Sequence, residues 1–218
     1  MDVLELPRAG LGFGRVVVDA HGVTRRGLVS TASLAWHEVA DYRLTIQLVG
    51  VARPWISFDD LAVAIAAATD AVDAYRGRDR FRHRLDLLGA DRRVRLDWRF
   101  RGAEPAIAAI LDRLRRPLGD RARDAYSAGG IGRFGPLVLA DHGIAWRGGP
   151  PLPRARVDCI DLFDCSPIRL RVMALGKAFP HGSAPLARIP NLAAALDLAR
   201  ALGYRVRGRE LLAPLGLA

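Results

Sequence analysis

Residues Phe13 to Gly27 read Phe-Gly-Arg-Val-Val-Val-Asp-Ala-His-Gly-Val-Thr-Arg-Arg-Gly, and Phe134 to Gly148 read Phe-Gly-Pro-Leu-Val-Leu-Ala-Asp-His-Gly-Ile-Ala-Trp-Arg-Gly. At an offset of 121 positions, from Phe13 to Phe134, the two stretches share Phe-Gly, a central Val, His-Gly and a closing Arg-Gly. The remaining strand positions exchange one aliphatic or β-branched residue for another. A repeat at this spacing is far longer than a solenoid unit and implies two domain-sized copies of one fold. Each copy opens with two short strands around a turn carrying Gly, as a hairpin requires.

Outward from the first copy, Leu44, Ile46 and Leu48 alternate with Thr45, Gln47 and Val49, the period of a half-buried strand. Ser57 and Asp60 then form a capping box, and Phe58, Leu61, Ile65, Ala68, Val72 and Tyr75 recur at helical steps. The second copy has no counterpart, so residues 50–80 are expected as a helical insertion. Phe58, Leu61, Ile65, Val72 and Tyr75 are its candidate partner-docking stripe, against its own domain, a partner or a second copy of the chain.

Phe81–Leu88 and Arg92–Arg101 make the clearest hairpin. Phe81, His83, Leu85 and Leu87 take one face with Val94, Leu96, Trp98 and Phe100, and arginines take the other. Pro105 suits the first turn of a helix whose stripe is Ile107, Ile110, Leu111 and Leu114, with Pro117 stopping it. Residues 119–132, polar and glycine-rich, read as a linker. Further strands follow over Val157–Asp164 and Ile168–Leu175, and Pro190 opens a closing helix through Leu192, Leu196, Ala199 and Leu202. The expected organisation is a first domain over 1–118, the linker, and a second domain over 133–218. The fold class is α+β, mainly β.

Net charge is +10, and of 33 basic residues only Lys177 is lysine. Arg76 to Arg123 holds 15 Arg against 7 acidic residues, so the excess lies in the middle of the chain. Arg82, Arg84, Arg95, Arg99 and Arg101 on the hairpin are the candidate anion-binding residues, with guanidinium groups able to hold phosphates or carboxylates bidentately. Phe81, Trp98 and Phe100 are expected on the core side, away from any stacking partner. The N-terminal residues lack a basic leader and apolar run, and the longest apolar stretch, Leu61 to Ala68, is shorter than the ~20 residues of a membrane helix. A cytoplasmic protein is expected.

Other constellations carry less. Gly130-Ile-Gly132-Arg-Phe-Gly135 matches the dinucleotide fingerprint as text, but its glycines precede a strand instead of opening a helix. His21 and His142 occupy equivalent turns in separate domains. Cys159, Asp161 and Cys165 form the densest set of ligand-type residues, but extended chain spreads the two cysteines too widely for one zinc. No nucleophile elbow is present. Neither a metal nor a cofactor nor a catalytic site is expected.

The order of strands, the Trp36-His-Glu-Val-Ala-Asp41 segment after the opening hairpin, and a single terminal helix resemble the pleckstrin-homology-like (PH-like) fold, above all its bacterial members. The resemblance implies two bent, partly open β-barrels in tandem, each closed by its C-terminal helix. With that fold, a non-enzymatic binding or scaffolding role is expected, and the charge of the hairpin arginines points to an acidic protein or an anionic membrane face as the partner. The opening turns, Asp19-Ala-His-Gly22 and Ala140-Asp-His-Gly143, lack the basic signature of phosphoinositide-binding members. The alternative is sequence-independent nucleic-acid binding through the same Arg face.

Overall fold

Alternation sets the first sheet: Leu6, Val16, Val18, Val23 and Leu34 are buried, and Glu5, Arg15, Arg26 and Thr31 are exposed. In the computed structural model, which describes residues 3–8, 14–28, 30–48 and 81–217, these residues form β1 (Leu4–Pro7), β2 (Arg15–Val18), β3 (Gly22–Arg26) and β4 (Thr31–Ala35), an antiparallel meander. A short 3-10 turn, Trp36–Glu38, leads into β5 (Asp41–Leu48), which pairs with β6 (Phe81–Leu88), itself paired with β7 (Arg93–Asp97). Tyr42, Leu44, Ile46, Leu85, Leu87, Val94 and Leu96 all point inward, and opposite residues meet in register, Leu44 with Leu85 and Leu85 with Leu96. The helical insertion expected at 50–80, with its stripe from Phe58 to Tyr75, lies outside the described residues.

Helix α1 (Ala103–Gly129) closes this half through buried Ile107, Ile110, Leu111, Leu114 and Leu118. The expected stop at Pro117 and the linker over 119–132 are corrected here: the helix continues past the proline to Gly129. A proline costs one backbone bond and some crowding. Beyond it, however, Leu118 is buried, and Ala122 and Tyr126 pack on the core. Tertiary packing on both sides of the proline outweighs the local break. Gly130, in the left-handed region, ends the helix and donates its N–H to the Tyr126 carbonyl at 2.6 Å.

The second half runs through the same order of elements. A four-stranded meander comprises β8 (Ile131–Phe134), β9 (Leu137–Ala140), β10 (Gly143–Trp146) and β11 (Leu152–Pro153). A 3-10 turn, Arg154–Arg156, then leads to β12 (Val157–Phe163), β13 (Arg169–Ala174) and β14 (Gly182–Pro185), followed by α2 (Leu192–Ala201). The chain ends in β15 (Val206–Arg207), parallel to β12, and a 3-10 segment, Arg209–Leu215. The fold is α+β and mainly strand, with four separate sheets among the described residues. One continuous apolar cluster spans both halves. No helix among the described residues is long and apolar enough to cross a membrane.

The repeated His-Gly has a backbone explanation. The His21 carbonyl accepts the Trp36 N–H at 3.0 Å, and the His142 carbonyl accepts the Arg154 N–H at 2.9 Å. Each glycine lies under the next strand: a Cβ on Gly22 would fall 2.1 Å from the Leu34 carbonyl oxygen, and one on Gly143 2.3 Å from that of Leu152. Arg154 therefore stands where the first half has Trp36.

Candidate anion-binding surface

The outer face of the β5–β6–β7 sheet is organised by one carboxylate. Asp86 lies opposite Arg43 on β5 and Arg95 on β7, and its side chain is 3% exposed beneath arginine stems. Its Oδ1 accepts Nε of Arg95 at 2.7 Å and Nε of Arg93 at 3.1 Å. Its Oδ2 meets Nη2 of Arg93 at 2.7 Å and Nε of Arg84 at 3.5 Å. Burial works to raise the Asp86 carboxyl, but hydrogen bonds from Arg93 and Arg95 hold it below the usual carboxylate range. Arg84 is further engaged, donating to Thr45 Oγ1 at 3.2 Å. Two of the five candidate arginines, Arg84 and Arg95, are thus tied to the fold through Asp86.

Arg82, Arg99 and Arg101 are different. All three are exposed, and no carboxylate among the described residues lies within ion-pairing distance of them. Arg82 and Arg99 lie over the Trp98 ring, at 5.5 and 5.7 Å from its centroid. The expectation that Phe81, Trp98 and Phe100 face the core needs correction at Trp98 alone. Phe100 is buried and Phe81, half-buried, packs against the core, but Trp98 is half-buried outside it. The strand ends at Asp97, and Trp98 begins the turn, so alternation no longer governs its direction. Asp97 Oδ1 fixes that turn by accepting the Arg99 N–H at 3.0 Å.

The first sheet adds charge to the same place. The Arg101 N–H donates to the Pro7 carbonyl at 2.9 Å, and Arg8 forms a bridge with Phe100. Arg25 lies over the Phe100 ring at 5.9 Å. Arg8, Arg25, Arg82, Arg99 and Arg101 therefore gather at one end of the first half, from strands far apart in the chain. Sequence reading found the last three and missed Arg8. It gave Arg25 no role either, because the contact between the two sheets leaves no local signal. Of the acids at this end, Asp97 is engaged with the Arg99 N–H and Glu104 with His83 Nδ1 at 3.3 Å.

The other constellations fall into structural roles. Asp19 accepts the N–H groups of His21 and Gly22, which hold its carboxyl low. Asp161 pairs with Arg171, whose guanidinium stacks on Phe163 at 3.6 Å. Cys159 is buried in β12 and Cys165 sits in the following bend, both free, and burial pushes both thiols up. Among the described residues no group of three or more His, Cys, Asp or Glu could hold a metal ion. Gly130 caps α1 and Gly132 lies in β8, a helix-to-strand order opposite to that of a dinucleotide loop.

Comparison with known proteins gave no match: no family model, no curated protein and no solved structure is significantly similar to the chain.

Proposed function

We propose that the chain is a non-enzymatic, cytoplasmic binding or scaffolding module, built of two PH-like bent barrels, whose basic end recognises an acidic partner. That partner is a protein surface or an anionic membrane face. The observation that carries the reading is the gathering of Arg82, Arg99 and Arg101 with Arg8 and Arg25, the first three exposed and with no carboxylate among the described residues within ion-pairing distance of their guanidinium groups. Like charges brought together by folding repel, and an acidic ligand relieves that repulsion. Arg84 and Arg95 serve the site indirectly, by fixing the sheet through Asp86.

A second reading, sequence-independent nucleic-acid binding, is favoured by one observation. Trp98 is half-buried beside two arginines, the combination of ring and charge that single strands use. Titration of the purified protein with polyglutamate, phosphatidylserine vesicles and single-stranded DNA separates the readings. Binding of either of the first two, without a comparable affinity for DNA, supports the acidic-partner reading. Tight DNA binding with a log–log salt slope of several units supports the second. No binding to any of the three at low salt removes both.

A further inference from the structure

The two halves meet around a second feature, a groove of about 440 Å³ far from the hairpin in sequence. Its floor exists because the apolar stripe of α1 runs out of bulk. After Leu118 the same helix face carries Ala122 and Ala125, where larger side chains would fill the space. Opposite stands β8, whose Gly132 has no room for a side chain: a Cβ there would lie 2.4 Å from Leu198 Cδ2. That direction faces Leu198 and not the groove, which is lined by Ala122 and Ala125 of the helix and by Phe134, Gly135, Pro190 and Asn191 from the second half.

Charged groups stand along this groove. Arg121 lines it and uses Nη1 to reach the Val39 carbonyl at 3.1 Å, leaving its other donors available. Arg133, exposed on β8, has no carboxylate within ion-pairing distance among the described residues. Asp41 supplies the single acid; its Oδ1 accepts Asn191 Nδ2 at 2.7 Å, and its Oδ2 has no protein partner among the described residues. Two guanidiniums and one carboxylate beside a small apolar wall, at the junction of two structural units, make a built recess of ligand size.

We propose that this groove binds a small organic acid bearing a hydrogen-bond donor next to its carboxylate, an amino or hydroxy acid. Arg121 and Arg133 take the ligand carboxylate, Asp41 takes the neighbouring ammonium or hydroxyl, and Ala122 and Ala125 leave room for the carbon skeleton. The assignment is independent of the basic end, so either can fail alone.

The test is calorimetric titration of the full chain with glutamate and malate, with succinate as the donor-free comparator and inorganic phosphate as the control for unspecific anion binding. Saturable binding of glutamate or malate at millimolar concentration or tighter is expected. Arg133→Ala should weaken it by about tenfold or more, as loss of a charged hydrogen bond does. Ala125→Leu, at an exposed position, should abolish it by filling the groove; if that variant does not fold, Arg133→Ala decides. No saturable binding of either acid overturns the proposal. Binding unchanged by both variants also overturns it, as does equal affinity for succinate or phosphate.

Discussion

Asn191 and Tyr42, 149 residues apart, hold the two halves together by reciprocal hydrogen bonds. The Tyr42 N–H donates to Asn191 Oδ1 and the Asn191 N–H donates to the Tyr42 carbonyl, both at 3.0 Å. The Tyr42 hydroxyl accepts the Ala193 N–H at 2.8 Å, and the Ile168 N–H reaches the Ile46 carbonyl at 2.9 Å. Together these contacts cover the outer edge of β5, which would otherwise be an open strand edge. In the second half β15 covers the equivalent edge of β12. Asn191 also sits in the left-handed region, φ 51°, which asparagine tolerates better than alanine. Asn191→Ala should therefore lower stability by about 2–4 kcal/mol, from unsatisfied groups plus backbone strain. Urea unfolding followed by two optical probes checks this. One shared transition at a lower midpoint is expected; two separate transitions would show that the halves do not depend on each other.

The paired glycines offer an internal control. Gly22→Ala and Gly143→Ala each push a methyl group into a carbonyl of the adjoining strand. Each should cost more than about 2 kcal/mol, in the range of overpacked cores, and the two losses should be similar. A denaturation midpoint that barely moves in either variant would refute the equivalence of the two turns.

Asp86 links stability to pH. Because its folded carboxyl is held below the ordinary value, its contribution is present above about pH 4 and is lost as pH falls through the lowered folded value. Asp86→Asn should cost about 1–3 kcal/mol at neutral pH, the arginines being partly exposed. It should also flatten the acid limb of the stability profile. Thermal melts from neutral pH down to about pH 3 read both effects.

Much of the architecture is legible in the residues. The duplicated Phe-Gly to Arg-Gly stretch, the alternation of Leu44 with Thr45, and the hairpin stripe from His83 to Leu96 are all local patterns, and local patterns survive folding. What failed did so for tertiary reasons. Pro117 reads as a stop, yet the buried Leu118 just after it carries the helix on. The short strands β1, β8 and β15 have too few residues to show a period. At the candidate site the arginine-rich hairpin was visible. That Asp86 withdraws Arg84 and Arg95, and that Arg8 and Arg25 arrive from another sheet, depends on register and sheet packing.

The same proline gives a prediction of opposite sign. Pro117→Ala restores a donor inside α1 and should raise stability by about 1–3 kcal/mol, less than the full helix-interior penalty because the fold has adapted to it. A fall in the urea midpoint would mean that the proline shapes packing the alanine cannot reproduce.

The central claim is that charge at the end of the first half, and not arginine content in general, makes the binding surface. Its most direct test compares the polyglutamate affinity of Arg99→Glu/Arg101→Glu with that of Arg93→Ala/Arg95→Ala, each confirmed folded. The first pair should weaken binding by about tenfold or more and reduce its salt dependence. The second should lower the melting temperature while leaving affinity within about twofold. Equal losses in both variants, or binding untouched by the charge reversal, would contradict the account.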